Sequence, residues 1–158
     1  MFSVEHYIVR PPQKLTVYEF IDEYRRLYQA AQEVFDEYNP CDVQDGVCLR
    51  GRSGIKYDND NFCCAGCDWL TDTGCSVEAL WCKMWACRIV ITSNDIPQGF
   101  RDRLNTINRE VSTLLKGVGG RRRLEYYIAY FYGEEALKEY DYENERSQEV
   151  RAASGGAG

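Results

Sequence analysis

The sequence predicts an α+β fold, mainly helical, in which two long helices flank a cysteine-rich metal-binding segment, with room for a small sheet. Three observations carry this. Residues 17–38 and 96–116 each repeat apolar side chains at helical spacing. Six of the eight cysteines fall in the 25 residues from Cys63 to Cys87. The chain has 158 residues, enough for one domain whose core needs no disulfide staples. The expected division is a single domain over 1–141, with the cysteine-rich segment at 41–88, followed by an acidic, flexible tail over 142–158.

Residues 2–9 partly alternate and fit a strand, which Pro11 and Pro12 end. Thr16 then opens the first helix. Thr16 and Glu19 have the spacing of a capping box, in which hydroxyl and carboxylate satisfy two orphan amides reciprocally. Val17, Phe20, Ile21, Tyr24, Leu27, Tyr28, Ala31, Val34, Phe35 and Tyr38 form one apolar stripe, and Asn39-Pro40 stops the helix. Residues 41–62 read as loop, with Asp45-Gly46 as a tight turn between Cys41 and Cys48.

Asp72-Thr73-Gly74 supplies a turn that delivers Cys75, and Ser76 reads as the N-cap of a short helix continuing through Trp81. That reading sets Cys75 at a helix N-terminus, where the dipole favours a thiolate. Asn94 or Asp95 should cap the second long helix, with Pro97 in its first turn and Gly117 as its stop. Residues 124–132 are rich in aromatic side chains and are read here as a strand, although Leu124, Ile128 and Phe131 also fit a helical face. From Glu134 to Glu149 the chain carries seven carboxylates and two basic residues, a helix expected to fray. No internal repeat stands out.

Composition narrows the function. No apolar run approaches the roughly 18 residues of a membrane span. The N-terminus lacks both the basic start and the apolar block of a secretory signal, so a cytosolic protein with reduced thiols is expected. A net charge of −6 disfavours direct nucleic-acid binding and suits a protein partner with a basic surface. The run Arg121-Arg122-Arg123 reads as a solvated loop. No phosphate loop, dinucleotide fingerprint, catalytic triad or zinc-protease motif is present, and the expectation leans away from an enzyme.

The cysteines carry the chemistry. A C-x2-C turn such as Cys64-Ala65-Gly66-Cys67 brings two thiolates onto one ion, and the glycine permits the tight backbone. The expected first ligands are Cys64, Cys67, Cys75 and Cys87; Cys82 and Cys63 come next, then Cys41 and Cys48. Cys82 and Cys87 lie about 140° apart around an α-helix, so both reach one centre only if the helix ends between them. The only histidine is His6, so ligation should be mainly thiolate.

The pattern Cys63-Cys64…Cys67-x2-Leu70-x3-Gly74-Cys75…Cys82-Lys83-x-Trp85-x-Cys87 resembles the YkgJ-type zinc- or iron-chelating domain. Ala79-Leu80 stands where that family usually has Arg-Pro. The resemblance implies a bound metal centre, with members of the wider group linked to iron–sulfur chemistry and to a lysine methylase. It implies no specific reaction. Irregular spacing and nearby aromatics favour a [4Fe–4S] cluster, whereas the C-x2-C turn favours Zn; the expected centre is the [4Fe–4S] cluster, with Zn as the alternative. The expected function is a binding or regulatory module, in its most specific form a phage- or mobile-element-encoded inhibitor of a nucleic-acid-binding enzyme. The alternative is an iron–sulfur redox protein or enzyme component.

Overall fold

The computed structural model describes residues 15–40, 42–44, 47–48, 70–71, 74–75, 79–84, 90, 92–120 and 122–154, and these are mainly helical. The expected strand at 2–9 lies outside them, and so does the expected loop at 41–62 except for residues 42–44 and 47–48, of which 43–44 and 47–48 form a short ladder. Helix α1 runs Val17–Tyr38 and starts at the expected capping box: Thr16 Oγ1 accepts from the Glu19 amide at 3.2 Å, and the Thr16 amide donates to the Glu19 carboxylate at 2.7 Å. It ends at Asn39, which adopts a left-handed backbone (φ 37°) and donates its amide to the Phe35 carbonyl.

Two short antiparallel ladders follow, β1 (Val43–Gln44) with β2 (Val47–Cys48), and β3 (Leu70–Thr71) with β4 (Gly74–Cys75). Helix α2 is a single turn, Leu80–Lys83. The two remaining long helices and their connector complete the fold: α3 (Gln98–Leu114), α4 (Leu124–Tyr132) and α5 (Glu134–Ser154).

Helix α1 is the hub, packing against α2, α3 and α4, while α5 packs on α4. Both major neighbours run antiparallel to it. In the middle of α1, Arg26 pairs with Glu110 of α3, and near its end Glu37 pairs with Arg103. On the other side, Phe20 meets Phe131 and Tyr24 meets Tyr127 of α4. The core between them holds Phe20, Leu27, Val34, Val111, Leu115, Tyr127 and Ile128, and no polar or charged side chain is buried among the described residues. Burying each large apolar side chain contributes about 1.5–3 kcal/mol.

Residues 124–132 are a helix, not the strand expected from their composition. Leu124, Tyr127, Ile128 and Phe131 are buried, a spacing of three, four and seven residues that only a helix turns toward one side. The apolar face of α1 therefore outweighs the β-preference of the aromatics. Tyr126 and Tyr130, one turn apart on the half-exposed side, stack at 5.7 Å.

Helix starts also differ from expectation. Pro97, not Asn94 or Asp95, is the N-cap of α3. The Asp95 carboxylate instead accepts from the Ser93 hydroxyl inside the preceding loop. Helix α3 ends in a Schellman arrangement: the Gly117 amide bonds the Ser112 carbonyl at 3.0 Å while Lys116 holds a left-handed backbone (φ 49°). Helix α5 continues to Ser154, past the point where fraying was expected, and residues 141–152 are all exposed.

Candidate metal centre

The short helix α2 carries Cys82 and is fixed to the core from several sides. Leu80 is fully buried and Met84, four residues on, nearly so. The first backbone amide of a helix has no partner within it. Here the Leu80 amide donates to Tyr24 Oη of α1 at 3.0 Å, so a side chain 56 residues away acts as the cap. Ala79, the N-cap residue, provides no side-chain bond. The expected cap Ser76 lies outside the described residues, and the helix begins at Leu80. Cys75 accordingly sits at the end of β4, five positions before α2, and the helix-dipole argument for its thiolate does not apply.

Trp81 Nε1 donates to the Val118 carbonyl at 2.9 Å, and Tyr127 Oη donates to the same oxygen at 3.0 Å. These two bonds join α2 and α4 through the turn that follows α3. Lys83 bonds Gln32 and lies 5.5 Å over the Tyr28 ring, tying the other side of α2 to α1. Cys82 is half-buried and lies within electrostatic reach of Tyr127. Burial pushes the Tyr127 phenol up to about 12; Arg122 opposes the shift, while Tyr126 and Cys82 add to it. Burial raises the Tyr24 phenol as well.

Of the expected ligands, Cys82 is placed on α2, Cys48 ends β2 and Cys75 ends β4. Cys41, Cys63, Cys64, Cys67 and Cys87 lie outside the described residues, as does His6. Helix α2 ends at Lys83, between Cys82 and Cys87, as convergence of the two would require. Among the described residues no three Cys, His, Asp or Glu side chains are grouped so as to hold a metal ion.

No family model, curated protein or solved structure matches the chain.

Among the described residues no helix is long and apolar enough to cross a membrane. A groove of about 260 Å³ between α1 and α3 is lined by Glu23, Arg109, Glu110, Thr113 and Leu114. Arg26 bridges Glu23 and Glu110 across it. The hydrogen bond from Arg26 holds the Glu23 carboxyl below the usual range, so that it remains an ionised structural partner.

The anchors of α2 were not evident from sequence. Tyr24 was read as one apolar member of a stripe, and nothing near it in sequence marks Leu80 as its partner. The available signal was chemical: a tyrosine on a buried stripe needs a partner for its hydroxyl.

Proposed function

We propose that this chain is a small, cysteine-ligated metal-binding protein whose helical core holds the metal segment in place for a binding or regulatory role. The observation that carries the reading is the fixation of α2. Its backbone and flanking side chains are tied down by Tyr24, Val118 and Gln32, while Cys82, half-buried, belongs to a 25-residue segment with five other cysteines. A rigid support lowers the cost of assembling a ligand set, because the scaffold rather than the ion pays the ordering entropy. Zn and a [4Fe–4S] cluster are the two candidate centres, both compatible with thiolate ligands.

A protein with a basic surface suits the exposed half of α5, which carries Asp141, Glu143, Glu145 and Glu149 against Arg146 and Arg151. Reduced thiols in the cytosol complete the proposal. Anaerobic purification followed by metal analysis and absorption spectroscopy tests it. Stoichiometric zinc, or iron with a broad band near 400 nm, is the expected result. Metal-free protein, or native protein with its cysteines paired in four disulfides, would refute it. Cys64→Ser and Cys67→Ser should each strip the metal and destabilise the segment, because metal affinity in such sites is folding free energy.

A further inference from the structure

Two rows of side chains share one spacing. On α4 and the turn before it stand Arg122, Tyr126 and Tyr130, four residues apart. The Arg122 guanidinium lies 4.1 Å over the Tyr126 ring, and its Nε donates to the Gly119 carbonyl at 3.3 Å. Tyr126 in turn stacks on Tyr130 at 5.7 Å. The arginine run expected as a solvated loop thus starts an ordered ladder at Arg122, which is exposed, while both rings are half-exposed. Each member is a hydrogen-bond donor, and the guanidinium adds a fixed positive charge.

On the exposed half of α5, Asp141, Glu145 and Glu149 also recur every four residues. Four residues advance an α-helix by about 6 Å and turn it by about 40°, so the three carboxylates form one slowly winding row. Arg146 falls outside that row and lies 5.9 Å over the Tyr142 ring. Every residue from 141 to 152 is exposed. Like charges one turn apart repel, so this row is more stable when donors face it.

The chain itself shows how this helix is received. In its first half, Tyr18 Oη of α1 donates to Glu139 and Glu143, four residues apart, at 3.2 Å each. Phenols facing α5 carboxylates one turn apart are also what Tyr126 and Tyr130 offer. Within one copy, Arg122, Tyr126 and Tyr130 are ordered by one another, while α5 is held by Tyr18 and Arg25 of α1. We propose that this chain forms a reciprocal two-fold dimer, in which the carboxylate row of one copy seats on the Arg122, Tyr126 and Tyr130 row of the other. Three donors meet three acceptors at one spacing, and the two-fold axis repeats the match. Tyrosine and arginine are the residue types that such interfaces favour. The second copy is then the partner with a basic surface that suits α5; the inference rests on that part of the functional reading and not on the metal.

Sedimentation equilibrium of the reduced full chain tests this at about 20 mM and about 500 mM salt, between which the screening length falls severalfold. A dimer is expected at low salt, with a Kd that rises about tenfold or more at high salt. Arg122→Glu and Glu145→Lys should each raise that Kd about tenfold or more while keeping the far-ultraviolet helical signal of the wild type. Glu33→Lys, a charge reversal at an exposed position of α1, should leave the Kd unchanged. Arg122→Glu should regain the dimer when combined with Glu149→Arg if the two helices run antiparallel, or with Asp141→Arg if they run parallel. A monomer at every concentration, a dimer indifferent to Arg122→Glu, or rescue by neither second change overturns the proposal. A labelled hexalysine peptide separates it from the broader reading. A monomeric chain that binds the peptide, more weakly as Glu145→Lys, keeps a basic partner for α5 and excludes the second copy; a monomeric chain that does not bind it removes both.

Discussion

The hydroxyl of Tyr24 lies 3.0 Å from the Leu80 amide, and this bond joins the longest helix to the short one that carries Cys82. Its ring belongs to the core, packing at 6.4 Å from Phe20 and 6.0 Å from Tyr127. Tyr24→Phe separates the two roles. It keeps the ring and leaves a buried amide without its acceptor, which costs about 1–3 kcal/mol. Urea unfolding should show the midpoint falling accordingly; an unchanged midpoint would mean that the amide finds another acceptor. The sequence showed the ring through the apolar stripe. It could not show the hydroxyl's partner, because a hydrogen bond across 56 residues leaves no local pattern.

At the level of elements, what was legible depended on how local the cause is. The start of α1 is a capping box between Thr16 and Glu19, three residues apart, and both of its bonds form. The stops at Asn39 and Gly117 are likewise set by neighbouring backbone. Helix α4 was misread because its aromatics suit either structure in isolation, and only the apolar face of α1 decides between them. Gly133 links α4 to α5 with φ 92° and ψ 169°, a region that is essentially confined to glycine. A Cβ there would touch nothing within 4 Å, so Gly133→Ala isolates the backbone cost. The expected loss is about 1–3 kcal/mol, read as a lowered melting temperature. A melting temperature equal to that of the wild type would show that the helix junction relaxes at no cost.

For the molecule as a whole, three buried or half-buried tyrosines should weaken the fold at alkaline pH. Burial raises Tyr24, Tyr127 and Tyr132, the last two to about 12, against about 10 in an unfolded chain. The folded state thus binds more protons than the unfolded state as pH rises from about 10 to about 12. Stability from these groups is complete below about pH 10 and is lost across that window. Melting temperatures should be level from pH 8 to 9 and fall between pH 10 and 11, with phenolate absorbance rising on unfolding; a flat profile through pH 11 would contradict the burial of these phenols. The cysteines were legible as a cluster in the sequence, and the chelating turn expected at Cys64 and Cys67 lies outside the described residues. Which thiols lie near one another depends on register and long-range packing, which leave no local pattern in the sequence.

The central position of α1 also bears on synthesis. Its apolar stripe, with Phe20, Leu27 and Val34 fully buried in the finished fold, is covered by Val111 of α3 and Phe131 of α4, both made long after it. At ribosomal rates of about 5–20 residues per second, that stripe stays bare for on the order of several seconds in every nascent chain. During that interval the helix is an amphipathic segment that lacks its two largest packing partners, so its exposure to chaperones or to other nascent chains depends on translation speed as well as on the stability of the native state.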